Sequence, residues 1–225
     1  MNIEIIFQNS DFVIFYKPAG MSFHSEDGAG FVVQATELLN AEQLFSVHRL
    51  DKMTSGLIIL AKSSEVANKL SKLFETRQIE KFYLAVSLRK PKKKQGWIKA
   101  DMAQARRGSY KLVSTMENPA ITQFVSCALR VHERLFLIKP HTGKTHQIRV
   151  ALKSLGSPIA GDERYAFSED ALKEERGYLH AYALRFVYNE QEYSFICNPT
   201  FGERFLNATC EDALTHYGSP WNFFK

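Results

Sequence analysis

Arg49 and Asp51 stand two residues apart in Val47-His48-Arg49-Leu50-Asp51-Lys52-Met53-Thr54-Ser55-Gly56, just ahead of the apolar run Leu57-Ile58-Ile59-Leu60. An ionised carboxylate is a base or a nucleophile, and a neighbouring guanidinium favours the ionised form. If this stretch is extended, period-two alternation puts Arg49 and Asp51 on one side and His48 and Leu50 on the other. The same spacing also suits a structural ion pair closing the end of a strand, and local pattern alone leaves both readings open.

Other stretches invite chemistry and fail its requirements. Thr142-Gly143-Lys144-Thr145 resembles the end of a phosphate-binding loop, yet the position five residues before Gly143 is Ile138 and the cradling glycines are missing. Ser55 is flanked by Met53 and Leu57 where a nucleophile elbow needs glycines. His141 and His146 are five apart without a neighbouring acid, so no metal site is expected.

The elements that must hold these groups are legible from periodicity. Residues 3–17 read as two short strands around Asn9-Ser10-Asp11, followed by a Pro18/Gly20 loop. Phe31 to Leu39 suits a short helix. Leu57 to Leu60 suits a buried strand. Ser63 can cap a second helix carrying Val66, Leu70, Leu73 and Phe74 on one stripe. Strands are expected at 80–86, 97–102, 111–115, 121–129 and 135–139, and a helix through Ile148, Leu152 and Leu155 stopping at Gly156. Tyr182 to Tyr188 and Tyr193 to Cys197 form a final hairpin, and Glu203 to His216 a terminal helix. No internal repeat or low-complexity tract interrupts this order.

With 225 residues and ordinary hydrophobic content the chain can bury a sizeable core as one domain, 1–225. No apolar run reaches the roughly 20 residues of a membrane helix, and the opening Met-Asn-Ile-Glu lacks a signal-peptide pattern. Cys127, Cys197 and Cys210 are odd in number and widely spaced, which suits reduced thiols and a cytoplasmic protein. Charge is unevenly spread. Residues 77–111 hold eleven Lys/Arg against two Asp/Glu, while the remainder has eighteen basic against twenty-two acidic residues. The excess lies in one stretch around Arg89-Lys90-Pro91-Lys92-Lys93-Lys94, the footprint expected for a polyanion, although a solubilising loop would look the same.

His48-Arg49-Leu50-Asp51-Lys52-Met53-Thr54-Ser55-Gly56, with Ala61-Lys62 after it, is similar to the central motif of the RluA-type family of RNA pseudouridine synthases. The likeness recurs in order at Lys17-Pro18-Ala19-Gly20 with His24, at Lys81-Phe82-Tyr83-Leu84-Ala85-Val86 and at Thr142-Gly143-Lys144-Thr145-His146-Gln147-Ile148-Arg149. It continues at Gly156-Ser157-Pro158-Ile159-Ala160-Gly161-Asp162 and at Leu179-His180-Ala181. Lys144 stands where the family usually has Arg, keeping the charge but losing the planar fork. Ala151 stands where many relatives carry His, and Tyr188-Asn189 where the family usually has His-Pro.

The resemblance implies an α+β fold with a mixed, mainly antiparallel central sheet and flanking helices, the catalytic domain alone without an N-terminal RNA-binding domain. It implies an isomerase that converts uridines of structured rRNA or tRNA to pseudouridine, with no metal and no organic cofactor. A monomer is expected, although the sequence does not fix the oligomeric state. Asp51 maps onto the nucleophile, attacking sugar or uracil. Tyr83 is placed to stack on the base, and Arg149 to pair with Asp51 and keep it ionised. Arg49 would fill the space a flipped nucleotide vacates, since a flat guanidinium can stack there. His48, Thr54, Lys144 and His146 are candidate substrate-binding or site-shaping residues, and Lys92, Lys93 and Lys94 candidate phosphate contacts. Lys17 and His24 are expected to shape the loop. The alternative is a catalytically silent RNA-binding module on the same scaffold.

Overall fold

The computed structural model describes residues 2–25 and 28–224. In chain order the elements are β1 (Glu4–Gln8), β2 (Phe12–Lys17), α1 (Phe31–Leu38), β3 (Phe45–Ser46), β4 (Ser55–Ala61), α2 (Ser64–Glu75), β5 (Glu80–Ser87) and β6 (Gln95–Gln104). There follow β7 (Tyr110–Val113), β8 (Ala120–Arg130), β9 (Glu133–Pro140), α3 (Gln147–Ser154), α4 (Ser168–Ala171), β10 (Leu179–Tyr188), β11 (Gln191–Ile196) and α5 (Ala208–Tyr217). Two compact units divide them: residues 1–80 with 181–198, and residues 81–180 with 199–225.

In the first unit β2 pairs antiparallel with β1 and with β4, and β11 antiparallel with β10. Asn9 builds the β1–β2 turn, its side-chain oxygen accepting from the N–H groups of Asp11 and Phe12. β2 and β4 are buried along their whole length. One face joins Phe12, Ile14, Leu57 and Ile59 to Val66 and Leu70 of α2 and to Phe186 of β10. From the other face Phe15 meets Phe31 of α1 edge-on at 5.9 Å. Such two-sided burial is why this strand reads as an uninterrupted apolar run. Ser63 caps α2 by accepting from Val66 N–H, as expected.

In the second unit the antiparallel order is β5-β9-β8-β6-β7. α3 packs against β7, β8 and β9, and α5 against β8 and β9. Phe82 on β5 is covered by Phe224 and Trp221.

The α+β class with mainly antiparallel pairing holds. One expectation is corrected. The terminal helix begins at Ala208, because Asn207 caps it by accepting from Cys210 N–H, while Glu203 and Arg204 are engaged by Glu175 and Glu174 instead. The segment 47–54, whose alternation was conditional on an extended path, is irregular. Within the basic stretch Pro91 is buried, and the Lys92 N–H bonds to Leu155 O.

Candidate active site

Asp51 is half-buried on a loop whose shape is fixed from below by Lys17. The Lys17 side chain is fully buried, and its ammonium donates to the carbonyls of Pro18 and Thr54, both at 2.9 Å. Gly20 N–H adds a bond to Lys52 O, and Thr54 N–H one to Asp51 O. Carbonyl oxygens satisfy the donors of a buried ammonium, and these bonds join the 17–20 loop to the 51–54 turn. Lys17 thereby has the shaping role expected of it, whereas His24 is exposed. Thr54 is 2% exposed, so its contribution here is to the loop's form.

His48 is fixed in the same way. Its ring stacks on Phe74 at 4.3 Å, and its Nε2 accepts from Ile59 N–H at 3.0 Å, which requires the tautomer protonated on Nδ1. Arg49 between them is exposed and Leu50 is buried, so the alternation predicted for 49–51 survives as burial although the strand does not form. Gly56, at the start of β4, has φ +106°, and a Cβ there would lie 2.3 Å from Ala181 O. The glycine of the central motif is therefore demanded by the backbone of β10.

The second unit carries Tyr83, Lys144, His146 and Arg149. Tyr83 is half-buried on β5, opposite Ile138 of β9, between the fully buried Phe82 and Leu84. The loop from Thr142 to His146 is stapled to β8 by Gln147. Its amide oxygen accepts from the Thr142 hydroxyl at 2.7 Å and from Lys144 N–H at 3.0 Å, and its nitrogen donates to Ile121 O and the Thr122 hydroxyl. Both lone pairs and both hydrogens of one buried amide are used. Gly143 passes over Lys81, and burial holds the Lys81 ammonium below the usual lysine range.

Arg149 is 7% exposed and grips Asp162 with two parallel bonds of 2.8 Å, from Nε and Nη2. Asp162 is completely buried and also accepts from the N–H groups of Arg164 and Tyr165. The guanidinium lies over the Tyr165 ring at 5.0 Å. The Tyr165 hydroxyl accepts from Tyr110 N–H and lies 2.9 Å from His146 Nδ1. Desolvation raises that phenol above its ordinary pKa. Gly161 makes the turn possible: its φ is +73°, and a Cβ would fall 1.9 Å from Arg176 O.

The structure thus places Arg49, His48, Asp51 and Thr54 in one loop of the first unit, and Lys144, His146 and Arg149 around one helix N-terminus of the second. Lys92, Lys93 and Lys94 are all exposed. Asp162, Tyr165 and Gln147 were not singled out from sequence. A carboxylate directly after a glycine in a Pro-Ile-Ala-Gly-Asp turn was the available signal for Asp162. Among the described residues no cluster of three His, Cys, Asp or Glu could hold a metal ion, and no helix is long and apolar enough to cross a membrane.

Comparison with known proteins accords with this architecture. The sequence matches the RNA pseudouridylate synthase family over residues 11–154. An uncharacterized RNA pseudouridine synthase of Haemophilus influenzae is 46% identical over 218 residues, covering 96% of each chain. The ribosomal large subunit pseudouridine synthase C of Vibrio vulnificus is 30% identical over 89% of this chain and 66% of its own. The solved human RNA pseudouridylate synthase domain containing 4 superposes with a TM-score of 0.75 at 26% identity, over 92% of this chain and 93% of its own. Fold and matches together define the class, an isomerase that acts on RNA. The chain belongs to the RluA-type family of RNA pseudouridine synthases.

Proposed function

We propose that this protein converts particular uridines of folded rRNA or tRNA to pseudouridine, with Asp51 as the nucleophile. The observation that carries the reading is Asp51 itself: a half-buried carboxylate on a loop clamped by Lys17, inside the matched family segment. In the reaction the bond from ribose C1′ to uracil N1 breaks, the base turns, and C1′ bonds to C5. The C5 proton leaves and N1 gains one, so no oxidant, reductant or cofactor enters the balance. A paired uridine hides this bond, and flipping it out costs roughly a few kcal/mol.

Tyr83 supplies a ring for the extruded uracil and a hydroxyl able to move a proton. Arg149, on the helix that opens with Gln147, is assigned the role of counter-charge to the nucleophile. Arg49, exposed beside Asp51, occupies the vacated stack. Residues 1–225 act as one catalytic domain, as a monomer in the cytoplasm. The test uses rRNA and tRNA transcripts tritiated at uridine C5, incubated with the protein with and without a chelator. Release of tritium to water in both conditions supports the proposal. No release from either RNA, despite measurable binding, would leave the silent RNA-binding module in its place.

A further inference from the structure

β6 crosses the most basic part of the sequence and carries a tryptophan, Trp97, that is left half exposed. Its residues alternate: Gln95, Trp97 and Lys99 are exposed, while Gly96, Ile98 and Ala100 are partly covered. Trp97 is 47% exposed. Register places it opposite Gln123 of β8, itself opposite Lys139 of β9, and Lys99 opposite Ile121. On this face the indole meets His141 at 4.8 Å with the rings 30° apart, and Gln123 fixes the imidazole through a 3.1 Å contact to Nε2. The Lys99 ammonium sits over the indole, 4.8 Å from its centroid. Asp101, the acid farther along the strand, is turned aside: its oxygens accept from the N–H groups of Glu117 and Asn118.

About half of the indole stays open to solvent, and its neighbours on this face are polar or cationic. That surround does not suit burial by an apolar protein face. It does suit an unpaired nucleotide, whose base offers a π-face to the indole and whose phosphate attracts ammonium groups. We infer that Trp97, backed by His141 and flanked by Lys99, is a stacking platform for a single-stranded base of the RNA, outside the residues assigned to chemistry. An arriving base displaces the Lys99 ammonium from the ring, and the long exposed side chain then reaches the adjoining phosphate. The platform rests on the reading of this chain as an RNA enzyme, and its role is capture.

The chain has two tryptophans, so W221F leaves Trp97 as the sole indole reporter. The probes are a single-stranded oligouridylate of about eight nucleotides and an abasic strand of the same length. Stacking predicts strong, saturable quenching of Trp97 by oligouridylate and none by the abasic strand, although anisotropy shows both binding. W97A should weaken oligouridylate binding about 5- to 150-fold, the range of one base–aromatic stack, while W97F, which keeps a ring, loses far less. In tritium release W97A should raise KM more than it lowers kcat. Saturated binding without quenching, or equal affinity of W97A and the parent, would overturn the platform even if pseudouridine still forms. Quenching by a protein that makes no pseudouridine would instead leave the platform standing and remove the assigned reaction.

Discussion

Asp162→Asn tests whether the Arg149 ion pair is as buried as it looks. The side chains concerned are 9% and 0% exposed, and the substitution keeps shape while removing the charge. It also turns an NH2 group toward a guanidinium that can only donate, so Arg149 loses its buried bidentate counter-charge. Breaking a buried pair from one side costs about 3–5 kcal/mol. For a chain of this size each kcal/mol lowers Tm by roughly 2–4 °C, so the expected fall is about 6–20 °C. Urea and thermal unfolding of the two proteins measure it. A control removes the guanidinium as well: R149M/D162N should recover part of the loss, because no cation is then left against the new NH2 group while the Asn oxygen still accepts from the N–H groups of Arg164 and Tyr165. A fall under about 1 kcal/mol for D162N, or a double variant no better than the single, would refute the burial argument.

Further outcomes follow from other parts of the molecule. Burial pushes the Cys210 thiol up to about 12 from the ordinary 9, so above pH 9 the unfolded chain binds fewer protons than the folded one and stability falls. The loss is about 1.4 kcal/mol by pH 10, and C210S should flatten that slope in unfolding measured from pH 8 to 10.5, whatever it does to stability at neutrality. K92S/K93S/K94S should reduce the salt slope of RNA binding by up to about two to three units and leave the rate at saturating RNA nearly intact; parallel lines in a salt titration would assign the loop to solubility alone. R49K should lose about tenfold on folded RNA and less on a loose strand, the difference expected for lost stacking. Equal losses in turnover assays on the two substrates would make Arg49 a simple counter-charge.

How far the sequence reads depends on how local each interaction is. β4 is legible because both its faces are buried and its residues are apolar throughout, and α2 because Ser63 and the Val66/Leu70 stripe mark its start and side. The β10–β11 hairpin follows from alternation around Asn189 and Glu190, both at positive φ. The loop carrying Asp51 has no such period: carbonyl bonds to Lys17, more than thirty residues earlier, hold it, and an irregular path results. Arg149 and Asp162 are thirteen residues apart on a helix and a turn, a separation no periodicity predicts. The grouping of residues 181–198 with 1–80 is likewise set by strand neighbours distant in sequence. The alternation of β6 was visible, but the ring contact between Trp97 and His141 required the register across β8.

The central claim is that Asp51 attacks the nucleotide, and the direct measurement is tritium release from uridine C5 by Asp51→Asn alongside the parent protein on the same folded RNA. The substitution keeps size and removes the nucleophilic charge. The account predicts release by the parent, none above background by D51N, and RNA affinity for the two within a few-fold. Appreciable release by D51N would contradict it and move the chemistry to another residue.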